Sequence, residues 1–198
     1  MTLMTVTRFS TGQRTDSLLA GGVGWAQQSD FEKIADIVVG SGGAASVTFS
    51  SIPSDYKHLQ IRYVARSTEA QTVSGAPGMR LNGVTTSTYA SHGLLGDGST
   101  ASSSAYAGYD YMYFFRVAGA NATSGIFGVG IVDILDYASS AKNKTIRYLN
   151  GTDTNNAGSV AFSSGVALST SPVTSVTFDP RSSSLWAQYT SFSLYGIK

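Results

Sequence analysis

The histidine, serine and carboxylate side chains that could do chemistry are few and scattered in this sequence. His58 and His92 are its two histidines, and they lack the H-x-H or H-x-x-x-H spacing that would direct both at one metal ion. Ser54, Asp55 and His58 supply a nucleophile, an acid and a base by type, but residues so close along a chain rarely converge, and no Gly-x-Ser-x-Gly motif occurs. The sequence therefore predicts neither a metal centre nor a catalytic triad.

Paired carboxylates for glycoside hydrolysis, which must stand some 5 to 10 Å apart, are not evident either. The two glutamates, Glu32 and Glu69, lie far apart in the chain, and Asp133 and Asp136 end an apolar segment where they are typical of a turn. Residues 153–156, Asp-Thr-Asn-Asn, resemble part of a cation-binding loop but lack its repeated acids and its distal Glu. We expect a non-enzymatic protein with no metal and no cofactor.

Composition excludes several classes of function. The 198 residues include no cysteine, which rules out disulfides and thiolate chemistry. Charged residues make up 13%, with 13 Lys and Arg against 12 Asp and Glu, so no basic stripe is available to neutralise a phosphate backbone. No apolar run reaches the roughly 20 residues of a membrane helix, and the Gly-broken segment 18–26 is a poor secretion signal. We expect neither nucleic-acid binding nor membrane insertion.

The chain divides into an N-terminal arm, residues 1–33, and a body, residues 34–198. The arm holds no period of 2 or 3.6, and it is either a partly disordered leader or an attachment element that orders on a larger assembly. Its candidate attachment residues are Phe9, Leu18, Leu19, Trp25 and Phe31.

The body is a succession of short strands separated by turns. The predicted strands are residues 34–39, 45–52, 57–65, 79–81, 89–95, 109–117, 125–135, 145–150, 160–168, 173–178 and 187–197. Residues 99–105 are predicted to be a small-residue loop. Residues 125–135 carry apolar side chains on both faces and are predicted to be a strand buried on each side. These features predict an all-β fold, a two-sheet jelly-roll-like or Greek-key sandwich with an extended N-terminal arm.

Aromatic residues carry the strongest binding potential. In residues 106–116 a period of 2 places Tyr109, Tyr111, Tyr113 and Phe115 on one face of the predicted strand. Three interpretations stay open for this face: a cross-strand ladder within one subunit, a subunit interface, or a platform that stacks on glycan rings.

Four segments carry a resemblance to a known group of proteins. They are residues 40–53 (GSGGAASVTFSSIP), 56–62 (YKHLQIR), 136–147 (DYASSAKNKTIR) and 192–198 (FSLYGIK). Their order and spacing resemble small virion proteins of tailed bacteriophages, many of which infect cyanobacteria and other aquatic bacteria. The resemblance covers most of residues 34–198. It implies a β-sandwich displayed on the particle, commonly as a trimer, on either the capsid or the tail.

Chain length favours the capsid, because neither a heptad coiled coil nor a repeated β-helix period supplies a fibre shaft. We therefore expect a homotrimeric capsid decoration or cement protein on the exterior surface of the virion. Its partners would be itself and, through the arm, the major capsid protein or another virion protein. The alternative is a tail-fibre or receptor-binding adhesin that recognises a host-surface glycan.

Overall fold

The computed structural model describes the backbone of residues 15–17 and 24–26, and residues 30–113, 115–155 and 157–198 in full. The chain forms two compact units, Met1–Asp30 and Phe31–Lys198. In the first unit, strands β1 (Thr15–Ser17) and β2 (Gly24–Ala26) pair antiparallel. The second unit therefore begins three residues before the predicted boundary at residue 34.

The second unit is built from strands, and its described residues contain no helix. The strands are β3 (Phe31–Val38), β4 (Val47–Phe49), β5 (His58–Ala65), β6 (Val73–Ser74), β7 (Gly78–Leu81), β8 (Tyr89–Gly96), β9 (Ala101–Tyr109), β10 (Val117–Ala118), β11 (Gly128–Leu135), β12 (Lys144–Asp153), β13 (Gly158–Ala167), β14 (Val176–Asp179) and β15 (Ser191–Ile197). The predicted all-β class is confirmed.

One large antiparallel sheet of eight strands runs in the order β3-β15-β5-β11-β12-β13-β8-β9. A three-stranded sheet has the order β4-β14-β7, and β6 pairs with β10. In the large sheet, Val132 stands opposite Ile61 on one side and Tyr148 on the other. All three side chains are buried, and they define the inner face of this sheet.

The core lies between the inner face and the three-stranded sheet. Phe192 of β15 packs against Phe178 of β14 with ring centroids 4.7 Å apart, which joins the two sheets directly. Trp186 meets Phe192 edge to face at 5.3 Å, and its indole N–H donates to the Phe178 carbonyl at 3.1 Å. Two sheets that share one core are consistent with a β-sandwich. The finer jelly-roll or Greek-key strand order stays a prediction.

Several predicted strand bounds are wrong, each for a tertiary reason. Residues 99–105, predicted as a loop, contribute to β9, because pairing with β8 overrides the weak strand propensity of Ala and Ser. Residues 109–117 do not form one strand: Tyr111 and its neighbour Met112 are both buried, which a half-buried strand does not allow. The last strand begins at Ser191 rather than at residue 187, because Tyr189 has a φ of 71° that breaks the extended chain.

The segment predicted to be buried on both faces is covered on one face alone in this chain. β11 alternates buried and open positions, and Val129 and Ile131 on its outward side are 53% and 40% exposed. The predicted burial is therefore wrong for the outer side of β11 within the described part of the monomer.

Candidate interaction surface

Among the chemistry-bearing residues, His58 and Asp136 come together in a structural turn. The backbone N–H of Asp136 donates to Nδ1 of His58 at 3.0 Å, and the Asp136 carboxylate bridges Lys57 at 3.2 Å and Lys142 at 2.5 Å. Hydrogen bonds from Lys142 and Lys57 hold the pKa of Asp136 below its ordinary value. Asp136 has a φ of 48°, so this network fixes a left-handed turn at the end of β11.

His92 is not part of that network; it lies on β8, opposite Ser164 of β13. Within residues 30–198, apart from the two positions left undescribed, no group of three or more His, Asp or Glu side chains is arranged to hold a metal ion. The described part of the chain also holds no helix long and apolar enough to span a bilayer.

The predicted aromatic face is divided between a tyrosine cluster and the core. Tyr106 packs on Tyr109 and Tyr113, and Tyr111 packs on the same two rings, with ring centroids 4.5 to 5.8 Å apart. Phe115 is 2% exposed and stacks on Tyr148 at 5.0 Å, so it contributes to the core and not to a surface platform.

Charged residues contact the tyrosine cluster, which consists of Tyr106, Tyr109, Tyr111 and Tyr113. The Arg181 guanidinium lies 3.5 Å from the centre of the Tyr111 ring, within the range of a cation–π contact. Arg80 bridges Asp110 at 2.9 Å and Asp179 at 3.1 Å, which ties the aromatic segment to β14. These contacts all lie within one chain, while Tyr106, Tyr109 and Tyr113 are half-exposed, so the three interpretations of this face stay predictions.

The candidate attachment residues fall mostly outside the described residues. Phe9, Leu18 and Leu19 lie there, and for Trp25 only the backbone, paired with Asp16 between β1 and β2, is described. Phe31 belongs to β3 of the body, where it stacks on Tyr195 at 4.7 Å. Phe31 is therefore a packing residue of the sheet.

The outer face of the eight-stranded sheet carries a set of exposed apolar residues that sequence analysis did not identify as a site. Strand alternation turns one set of side chains into the core and leaves the other set on this face. Two neighbouring cross-strand rows, which we call the outer apolar rows, consist of Val38, Val64, Val129 and Val160 in one row and Ile131, Leu149, Phe162 and Leu94 in the other.

The register of the sheet makes these rows continuous. Ile131 stands opposite Leu149, Leu149 opposite Phe162, and Phe162 opposite Leu94, so one row crosses four adjacent strands without a polar residue. In the other row Val129 stands opposite Val64 and also opposite Gly151, which has no side chain. Ser191 of β15 stands between Val64 and Val38, so Val38 is separated from the rest of its row by one small polar residue. Directly opposed side chains on one face of a sheet are in contact, so the rows form one apolar surface.

A row of polar and charged residues borders the outer apolar rows. The Gln60 amide donates to Asp133 at 2.9 Å, and the Arg147 guanidinium donates to the other Asp133 oxygen at 2.8 Å. Arg62 stands opposite Ile131 and so ends the second apolar row with a charge. It donates to Gln60 at 2.9 Å and lies 5.0 Å from the Phe31 ring. An apolar centre beside a hydrogen-bonded polar rim is the usual anatomy of a protein interface.

The outer apolar rows are large for the surface of a monomer. Their exposed fractions run from 40% for Ile131 to 66% for Val38. Together they expose on the order of 700 Å² of apolar surface, whereas the largest patch on a typical monomer measures roughly 300–600 Å². A standard interface buries about 800 Å² on each partner. The rows therefore approach the size of one complete interface.

The outer face has two adjoining troughs of about 410 and 400 Å³ at the end formed by β8, β9 and β13. Leu94, Phe162 and Ser103 line both of them. The troughs are shallow and apolar, and small side chains form the β9 wall. They suit the insertion of apolar side chains from a protein partner.

Comparison of the chain with protein-family models, with curated protein sequences and with solved structures found no match. The signal for the outer apolar rows was nonetheless present in the sequence. It is the presence of apolar residues on both faces of segment 125–135, which predicted a second covered face.

Proposed function

We propose that this protein is a non-enzymatic structural protein of a tailed-bacteriophage virion, a homotrimeric decoration or cement protein on the exterior of the capsid. The observation that carries the proposal is the pair of outer apolar rows, which gives the sheet a second face built for contact with protein. The four segments that resemble phage virion proteins supply the biological setting. The body would be a jelly-roll-like sandwich, and the arm would bind the major capsid protein or another virion protein.

The partner of the outer apolar rows in this proposal is another copy of the chain. Their apolar area is close to what one standard interface requires, and the rows contain no charge that would need a matching charge on a different protein. A face that packs against a different surface of the next copy gives a ring when the rotation between copies closes, and the proposed trimer is such a ring. The bordering Gln60, Asp133 and Arg147 would then form the solvated rim.

The oligomeric state tests this interface. We expect light scattering with size-exclusion chromatography to give the wild-type chain three times its 20.7 kDa mass at micromolar concentration. Phe162→Lys should give the monomer mass, because a charge would be buried at the centre of the rows. The matched control is Ser164→Lys, an exposed position two residues further along the outer face of β13, which should stay trimeric.

Both variants should keep the wild-type melting transition at low concentration, because Phe162 is half-exposed in the monomer and a lysine stem can cover the same surface. A monomeric wild-type chain, or a Phe162→Lys variant that remains trimeric, would contradict the interface.

A tail adhesin that recognises a host-surface glycan is the second candidate, favoured by the half-exposed rims of Tyr106, Tyr109 and Tyr113. Immunogold labelling and a copy count on purified particles separate the two. Decoration requires hundreds of copies on the capsid and a capsid that is weaker without them. An adhesin requires few copies on the tail and loss of host binding on removal.

A further inference from the structure

The last strand of the large sheet, β9, is open along one edge. It stands at the end of the strand order and pairs only with β8 among the described strands. Its second set of backbone N–H and C=O groups therefore faces away from the sheet. Such an edge is a template for another strand.

The same strand is also open on both faces. Residues 101–105 are exposed at every position, whereas each of the strands β5, β11 and β12 alternates buried with open positions. Ordering an extended strand costs conformational entropy that burial normally offsets. The first half of β9 buries almost nothing against the described residues of its own chain, and a second chain could supply the burial that this strand lacks.

The two edges of the sheet differ in how they are protected. β3, at the opposite edge, carries Glu32, Lys33 and Asp36, and charges on an edge strand discourage pairing with another chain. β9, with the sequence ASSSAYAGY, contains no charged residue and no proline. The protection found on β3 is missing on β9.

We propose that β9 pairs antiparallel with β9 of a second copy about a two-fold axis, which joins two eight-stranded sheets into one. Both edges in such a pair are uncharged, so no like charges oppose each other. Small Ala and Ser side chains on both faces let the two strands approach without steric conflict. A two-fold contact also uses one surface twice and leaves no β9 edge open, so the assembly closes at two copies.

This contact goes beyond the proposed trimer, because it uses the edge of the sheet and leaves its outer face free. In a trimer built on the outer apolar rows, the β9 edges would join copies that belong to different trimers. The two contacts can therefore fail independently.

Single cysteines placed along β9 test the pairing, because the chain contains none of its own. The variants are Ser102→Cys, Ser103→Cys, Ser104→Cys and Ala105→Cys in the full-length chain, and the matched control is Ala70→Cys in an exposed loop. Under mild oxidation we measure the fraction of disulfide-linked dimer on a non-reducing gel.

A two-fold axis brings one residue of β9 directly opposite itself. The Cα atoms of opposed residues in an antiparallel pair are about 4.5–5.5 Å apart, within the span of a disulfide. We expect cross-linking to peak at one or two adjacent positions and to exceed the Ala70→Cys control at least tenfold. Equal cross-linking at all four positions, or a level no higher than the control, would overturn the proposal.

A second measurement does not depend on oxidation. In the Phe162→Lys background, which should be monomeric at micromolar concentration, the proposal expects a monomer–dimer equilibrium that appears when the protein concentration is raised above that range. Adding Ala105→Lys should abolish that dimer, while adding Ala70→Lys should not. A dimer that survives Ala105→Lys would show that another surface is responsible. A trimer that survives Phe162→Lys, combined with a β9 cross-linking peak, would refute the outer-face trimer and keep the edge contact.

Discussion

Replacing Phe192 by alanine should be among the most destabilising single substitutions in the body. Phe192 is 1% exposed and touches three aromatic rings, Tyr63 at 5.7 Å, Trp186 at 5.3 Å and Phe178 at 4.7 Å. Tyr63 belongs to the large sheet and Phe178 to the small one, so the cavity would open where the two sheets meet. Truncating a buried Phe to Ala costs about 3–5 kcal/mol. We expect a value in the upper half of that range, because rings held by two sheets have little freedom to collapse.

The free energy of unfolding is measured by chemical denaturation of the purified chain. Domains of this size have a total stability of about 5–15 kcal/mol, so Phe192→Ala should lower the midpoint strongly or leave the chain largely unfolded. Ser191→Ala, the preceding residue on the outer side of the same strand, is the control and should change stability by less than about 0.5 kcal/mol. A loss below about 1 kcal/mol for Phe192→Ala would refute the assignment of Phe192 to the junction of the two sheets.

Three further outcomes follow from other parts of the body. Deleting residues 192–198 should give insoluble protein on expression, because β15 lies between β3 and β5 and both pairings would be lost; a soluble deletion with an unchanged melting temperature would contradict this. Gly130→Ala should cost about 1–3 kcal/mol in chemical denaturation because its Cβ would lie 2.4 Å from the Tyr63 ring, whereas Gly151→Ala, with its nearest neighbour at 3.6 Å, should cost much less. Asp136→Asn should make the free energy of unfolding fall less steeply as the pH is lowered, as measured by urea unfolding between pH 6 and 2. An unchanged pH profile would show that the Asp136 ion pairs contribute nothing to stability.

The direction of that pH effect follows from the depressed pKa of Asp136. Lys142 and Lys57 favour its ionised form in the folded chain, so the unfolded chain binds more protons at mildly acidic pH. The stabilisation is present above the ordinary pKa of an aspartate, near 3.8, and is lost as the pH falls through the lower folded value. Asparagine also tolerates the left-handed φ of 48° at this position, so the turn itself should survive the substitution.

The strands that the sequence predicted well are those in which burial alternates along the chain. In β5 the expected inward residues Leu59, Ile61 and Tyr63 are buried, because one side of the strand meets the core and the other meets solvent. The prediction failed for residues 109–117, where aromatic content and period 2 indicated a strand. There Met112 forms an isolated bridge with Met79, and the rings pack on one another instead of on a sheet.

The candidate site could be predicted only in part for a related reason. β9 gave no strand signal because its Ala and Ser side chains bury almost nothing, so its pairing with β8 leaves no hydrophobic pattern in the sequence. Phe115 could not be separated from Tyr109, Tyr111 and Tyr113, because period 2 assumes one continuous strand, whereas β9 ends at Tyr109 and Phe115 is buried in the core. The end of β9 at Tyr109 depends on its pairing with β8, and that pairing cannot be read from the local sequence.

The outer side of β11, which the sequence predicted to be buried, is exposed, and this difference bears on assembly. A strand that is apolar at successive positions is typical of a sheet covered on both faces, and β11 meets the core only through Val132, Ile134 and their inward neighbours. The outward Val129 and Ile131 continue across the sheet into Leu149 and Phe162, so this is a property of the whole face and not of one strand. Exposing such a face to water costs free energy that a polar substitution at each position would avoid. This exposed apolar face is what the proposed contact with another copy of the chain would cover, and the pair Phe162→Lys and Ser164→Lys tests that proposal.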